Sequence, residues 1–254
     1  MIKVLHIVPG LGGGGAERLL ANLTKSASPD IEHVVVTLMN DKPYFEMGCR
    51  IESLGLDLRT VSRWSFPAAA QALRARARLE ASDVVQGWLY HGNFATLMLL
   101  GASSVPVLWS IHNTTLMPGR SKARTRLIDK ACARISHFGP HSIVYCTQAA
   151  RETHEQDGYA ARKGHVIENG VPVEQFRFDP QARQDVRSAT GLSADGLVIG
   201  CVARYDPQKD FANLIAAFAQ FRGRQPAQLA LIGSGCTAGN TELVGLLRAA
   251  GIEN

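Results

Sequence analysis

The chain has 254 residues, 46% of them hydrophobic and 19% charged, with a formal net charge of +5. Such a length buries roughly three quarters of the unfolded surface, so one large or two smaller globular domains fit the composition. No run of about 18 apolar residues occurs, which excludes a membrane-spanning helix in this sequence, and the opening MIKVLHIVPG is too short in its apolar core for a secretory leader. The five cysteines (Cys49, Cys132, Cys146, Cys201, Cys236) are scattered and include no C-x-x-C. That pattern argues against a disulfide framework or a structural zinc and for a reducing, cytoplasmic setting.

Taken in chain order, apolar runs predict strands at Val4–Val8, Val34–Leu38, Asp83–Gly87, Val105–Ile111, Ser142–Cys146 and His165–Ile167. Helical spacing recurs between them, at Ala16 to Ala27 and over Pro67–Leu79, Phe94–Leu100, Ala123–Phe138 and Ala149–Glu155. Apolar strands alternating with helices mean a parallel sheet covered on both faces, a doubly wound α/β domain. The alternation breaks at Asn169-Gly170-Val171-Pro172 and restarts near Leu197, where LVIGCVARY and LALIGSG read as strands and Phe211–Phe221 and Thr241–Ala250 as helices. The organisation expected is an N-terminal Rossmann-like domain over 1–170, a connection with a short helix over 171–196, and a second Rossmann-like domain beginning at 197. Two parallel strands cannot cover themselves, so the second domain is expected to be incomplete, the sequence being truncated within it.

The stretch VPGLGGGGAERLL at residues 8–20 places bare backbone between a strand and a helix. Unhindered amides at the positive end of a helix dipole suit a phosphate. Gly10, Gly12 and Gly15 also satisfy G-x-G-x-x-G, which keeps an NAD-dependent oxidoreductase open, although the second strand ends Thr37-Leu38-Met39-Asn40 without the expected acid. A tight turn that merely lets helix and sheet approach is the third reading. No G-K-[ST] follows the glycines, so a Walker-type site is excluded.

GGAERLL directly after a first strand resembles the opening of the family-four glycosyltransferases. The resemblance continues through SIHNTT at 110–115, VIENGVPVEQF at 166–176, GCVARYDPQKDFANLIAAFA at 200–219 and LIGSG at 231–235, and so covers essentially the whole chain. It implies the GT-B architecture, two Rossmann-like domains facing a cleft. It also implies transfer of a sugar from a UDP- or GDP-sugar, with retention and without a metal, to a glycan or lipid-linked acceptor in surface polysaccharide or glycolipid synthesis. The paired glutamates that contact the donor in this family do not occur before the chain ends, which leaves a noncatalytic nucleotide-sugar or membrane-binding fragment as a further reading. No D-x-D is present for a metal-clamped donor.

In ARYDPQKD, Arg204 ends a strand and Lys209 lies five residues on, at the opening of a helix. The resemblance implies that this pair holds the donor diphosphate, with Gly14 and Gly15 contributing from the first domain. Fixed positive charge would stabilise the departing nucleoside diphosphate. The bland alternative is a pair of ordinary surface ion pairs. The family pattern has glycine where Ala203 and Asp210 stand here. His112 matches a family histidine beside the donor sugar and is the candidate catalytic residue; a loop histidine of no special role is the alternative. Tyr90, His91 and Asn113 are acceptor-side candidates, on loops 87–93 and 110–115, because aromatic and polar groups suit sugars. Glu17 is accounted for by the helix dipole.

Lys122, Arg126, Lys130 and Arg134 recur every four residues, and residues 120–134 carry a net of five positive charges. With no aromatics interleaved, nucleic acid is the weaker partner. An anionic membrane surface, at the inner face of the plasma membrane, or a lipid-linked diphosphate acceptor fits the stripe, as does a plain solvated face.

Overall fold

The computed structural model describes residues 1–26, 28–40, 42–55, 71–74, 81–97, 105–116 and 123–252. These form two compact units, Met1–Pro172 and Val173–Asn254. In the first unit the order is β1 (Ile2–Val8), α1 (Gly15–Lys25), β2 (Ile31–Thr37), β3 (Arg50–Ser53), β4 (Val84–Trp88), α2 (Leu89–Thr96), β5 (Val107–Ile111), α3 (Ala123–Ile135), β6 (Ser142–Tyr145), α4 (Gln148–Gln156) and β7 (Gly164–Val166). Seven parallel strands lie in the order β3-β2-β1-β4-β5-β6-β7. The α/β doubly wound sheet expected from the apolar runs is the fold observed.

β1 is central, and its residues Leu5, His6, Ile7 and Val8 are buried because neighbours flank it on both sides and helices cover both faces. From β1 the chain moves outward through β2 and β3, then returns to the other side of β1 at β4. That reversal is a topological switch point, where such sheets bind ligands beyond the strand carboxyl ends.

Two local features depart from the expected elements. β3 is an unanticipated edge strand of four residues, with Arg50 and Glu52 paired at 2.8 Å; charge on an edge strand discourages further pairing. The stretch from Gly87 to Asn93, expected as a loop, is the end of β4 and the first turns of α2. Leu89 takes a left-handed backbone (φ 59°) to turn strand directly into helix, a conformation costing about 1–2 kcal/mol for a residue with a Cβ. Gly87 and Gly92 permit this fold-back, because a Cβ at Gly87 would sit 2.7 Å from Asn93 Oδ1 and one at Gly92 would strike the Ile7 carbonyl. The helix expected over Pro67–Leu79 lies outside the described residues except for 71–74, which are helical; residues 98–100 of the helix expected at Phe94–Leu100 also lie outside them.

The second unit contains α5 (Ala182–Thr190), β8 (Leu197–Val202), α6 (Phe211–Arg222), β9 (Ala227–Ile232) and α7 (Thr241–Ala249). β8 and β9 pair in parallel, from Leu197↔Ala227 to Val202↔Ile232. Phe211, Ile215 and Leu243 pack on Cys201, Leu229 and Leu231 to form its core. α5 ends at Gly191 in the left-handed conformation (φ 70°), where glycine has no Cβ penalty. Arg187 then secures the turn by donating to the carbonyls of Ser193, Ala194 and Gly196.

Candidate functional site

In the first unit the candidate groups gather at the carboxyl edge of the sheet around the β1/β4 switch point. The segment after β1 is held open by backbone bonds from its neighbour: Leu38 N–H donates to Val8 O, Met39 to Pro9 O and Tyr44 to Leu11 O, at 2.8–3.0 Å. Leu11 is buried, which anchors the turn and leaves the glycines outside. A Cβ at Gly12 or Gly15 would meet no described atom within 4 Å. Gly14 is the N-cap of α1, and the Glu17 carboxylate lies against it where a side chain would project. A carboxylate at the third helical position satisfies the positive helix end; a phosphate arriving there meets a group of its own sign.

His112 follows β5 and lies parallel to the indole of Trp88, with ring centroids 5.0 Å apart at 8°. Trp88 is in turn fixed from below. Its Nε1–H donates to His6 Nδ1 (3.0 Å), and His6 Nε2 bonds His33 Nδ1 (2.8 Å). An indole N–H only donates, so His6 must carry its proton on Nε2 and His33 must accept through Nδ1. Burial, reinforced by the nearby His33 and opposed by Gln86, holds the His6 pKa down at about 3. Burial also lowers His33. The same cause lowers His112, with the Asn169 side chain opposing it, although neither ring nitrogen of His112 meets hydrogen-bond geometry with a described residue. His112 is therefore a neutral imidazole at pH 7, a hydrogen-bonding group rather than a fixed cation.

The acceptor-side candidates separate. Tyr90 is 3% exposed, with its hydroxyl on His154 Nε2 (2.8 Å) and its ring within the main core, so it lines no surface; the expectation for it is corrected. It faces inward because α2 begins directly at β4 rather than after a loop. Asn113 is exposed on the β5 loop, and His91 is half-buried in α2. Asn93, which the sequence reading passed over, clamps the end of β5, donating from Nδ2 to Ser110 O and accepting Ser110 N–H at Oδ1.

In the second unit Arg204 and Lys209 follow β8 on a loop that is fixed at several points. Ala203 N–H donates to Ile232 O and Tyr205 N–H to Ser234 O. Gly233 (φ 148°) has no room for a Cβ against the Ala203 carbonyl, and at Gly235 (φ 80°) one would lie 2.9 Å from Tyr205 Cβ. LIGSG thus packs the cationic loop. Arg204 is half exposed and its Nε lies 3.2 Å from Asp206 Oδ2, an ordinary surface ion pair. The Asp206 carboxyl is held below its ordinary pKa, first by the Gln208 N–H and also by Arg204. Lys209 is exposed on a 3-10 turn, Pro207–Lys209, just ahead of Asp210, the N-cap of α6. Asp210 has a left-handed backbone (φ 51°), which accounts for glycine in the family pattern and for aspartate as a tolerated substitute. A groove of about 660 Å³ in this unit, lined by Phe218, Leu229, Leu243 and Leu247 among others, includes neither cation.

On α3, Arg124, Leu127, Lys130 and Arg134 are exposed, and Phe138 just beyond is 87% exposed. The four-residue stripe is thus modified: Arg126 is half-buried with its Nε enclosed, and Lys122 lies outside the described residues. No helix among the described residues is long and apolar enough to cross a membrane.

The doubly wound parallel sheet with its switch point between β1 and β4 defines a ligand-binding α/β architecture. A family model described as Glycosyltransferase Family 4 matches residues 13–175, and the chain belongs to that family. It is 28% identical over 249 residues to a Bacillus subtilis (strain 168) protein named as the glycosyltransferase EpsF, covering 94% of this chain and 64% of that one. It is 27% identical over 180 residues to the D-inositol 3-phosphate glycosyltransferase of Jonesia denitrificans, covering 66% and 42%. The chain therefore spans less than two thirds of the length of these curated relatives. Its fold matches the crystal structure of Anabaena Alr3699/HepE in complex with UDP and glucose, with a TM-score of 0.76 at 18% identity over all of this chain and 68% of that one.

Proposed function

We propose that this chain acts in a glycosyltransferase that moves a hexose from a UDP- or GDP-sugar, with retention and without a metal ion, to a glycan or lipid-linked acceptor of surface polysaccharide or glycolipid synthesis. The observation that carries the reading is the pair Arg204 and Lys209 on a loop that two positive-φ glycines hold at the carboxyl end of β8. Pre-positioned cations stabilise a departing diphosphate without reorganising as the sugar bond breaks, each contributing about 1.5–3 kcal/mol. Gly14 and Gly15 are the first unit's own candidates for a phosphate group, with Glu17 turning aside. His112, neutral and stacked, is assigned a hydrogen bond to the donor sugar; His91 and Asn113 remain with the acceptor. Among the described residues no group of three His, Cys, Asp or Glu side chains is placed to hold a metal ion.

The same reading sets the α3 face against an anionic membrane surface, as a protein peripheral to the cytoplasmic side. Lys130 and Arg134 supply about 1 kcal/mol each near such a surface, while Leu127 and Phe138 supply apolar contact. Calorimetry tests the donor assignment. UDP or GDP binding that Arg204→Ala weakens supports the transferase; NADH binding with no response to UDP or GDP supports an oxidoreductase and ends the proposal.

A further inference from the structure

We infer that Tyr44, backed by Phe45, is a carbohydrate-stacking shelf that holds a pyranose ring of the acceptor remote from the reacting one. The inference rests on the transferase reading above and adds a subsite to it. The segment carrying these residues is a built structure. Tyr44 N–H is tied to Leu11 O at 2.8 Å, Gly48 N–H to Thr24 Oγ1 at 3.1 Å, and Glu46 to the Lys25 ammonium at 2.8 Å. Gly48 has to be glycine, since a Cβ there would collide with the Thr24 carbonyl of α1.

Within this frame one side of the Tyr44 ring rests against Gly13, where a Cβ would come 3.5 Å from Cγ, Cδ1 and Cε1. Phe45 meets Tyr44 edge to face, with centroids 5.0 Å apart at 81°, and the Arg18 guanidinium of α1 lies 5.3 Å from the centre of the Phe45 ring. The pair is thus braced from the glycine turn and from the helix, yet Tyr44 remains 73% exposed.

A braced aromatic ring presented to solvent offers a rigid flat face for stacking, with a hydroxyl at its edge. A pyranose suits it. One face of the sugar is C–H, which matches the ring, and its hydroxyls reach outward to the uncovered backbone at Gly12. Trp88 and Tyr90, the aromatic residues of the 87–93 stretch, are 2% and 3% exposed and present no face. The Tyr44 N–H is tied to the turn after β1, two strands along the sheet from β5, which precedes His112. At about 4.8 Å per strand that is about 10 Å, which sets a ring stacked on Tyr44 apart from the one reacting beside His112. Tyr44 therefore acts on acceptors longer than one sugar.

The test titrates the 254-residue chain with methyl β-glucoside, methyl β-galactoside, methyl β-cellobioside and methyl β-lactoside by saturation-transfer NMR, with UDP and GDP affinities measured beside them. The expected result has a disaccharide binding more tightly than its monosaccharide. Tyr44→Ala should weaken that disaccharide at least fivefold, and Tyr44→Trp should keep it within twofold, with nucleotide affinity unchanged in both. The inference is overturned if neither disaccharide binds, if Tyr44→Ala changes nothing, or if nucleotide affinity falls in parallel, which would make Tyr44 a base-stacking residue. Failure of the transferase reading is separate: neither nucleotide would bind the unmodified chain, whatever the glycosides do.

Discussion

The imidazole of His112 and the indole of Trp88 lie 5.0 Å apart and within 8° of parallel. Trp88 is itself held by His6, so one buried hydrogen-bonded series sets the plane against which the candidate catalytic ring rests. Proton NMR should find the His112 C2–H shifted upfield by the indole, with its titration midpoint below the ordinary 6.5. A midpoint at or above the ordinary value would contradict the neutral, stacked histidine.

The same series ties stability to pH. The folded pKa of His6 is lowered from 6.5 to about 3, and that of His33 is also lowered. Below pH 6.5 the unfolded chain takes up protons that the fold refuses, so their contribution is complete above 6.5 and declines as pH falls toward 3. Protonating His33 at Nδ1 would also set a donor against the His6 Nε2–H. Urea midpoints should fall steadily between pH 7 and pH 4, with a shallower fall in His33→Gln. Midpoints that stay level, or rise, over that interval would contradict the network.

Gly233 links the second unit's backbone to its chemistry. Its φ of 148° excludes a side chain at no cost only for glycine, and a Cβ would press on the Ala203 carbonyl. Gly233→Ala should destabilise this unit by about 1–3 kcal/mol and weaken UDP or GDP binding by displacing Arg204. Wild-type melting and wild-type affinity together would show that LIGSG does not hold the loop.

On the α3 face, vesicle sedimentation should show binding to vesicles with phosphatidylglycerol, little to neutral ones, and a decline with salt. Lys130→Glu with Arg134→Glu should abolish it, and Phe138→Ser should weaken it without changing the salt dependence. Equal binding to neutral vesicles, or none to either, would remove the membrane from the account.

The sheet was legible because its central strands are apolar on both faces, as a covered parallel sheet demands. β3 was not, because four residues with two charges carry no such run. The 87–93 stretch was misread for a related reason. GWLYHGN contains two glycines and polar residues and so looks like a loop, but the glycines serve a helix packed hard against β1 and β4, which turns Tyr90 into the core. Pattern alone does not single out Tyr44, since its placement depends on a backbone bond to a turn 33 residues earlier. Arg204 and Lys209 stand out by motif alone, while Gly233 and Gly235, packed on their loop, acquire a physical reason only from their dihedral angles.

The most direct measurement titrates the chain with uridine, UMP and UDP, and with the guanine series, in wild type, Arg204→Ala and Lys209→Ala. Each substitution should weaken the diphosphate about 10- to 100-fold, the equivalent of about 1.5–3 kcal/mol per charge-assisted contact, and leave the nucleoside unchanged. Diphosphate affinity that survives both substitutions would contradict the central claim that these two cations receive the leaving group.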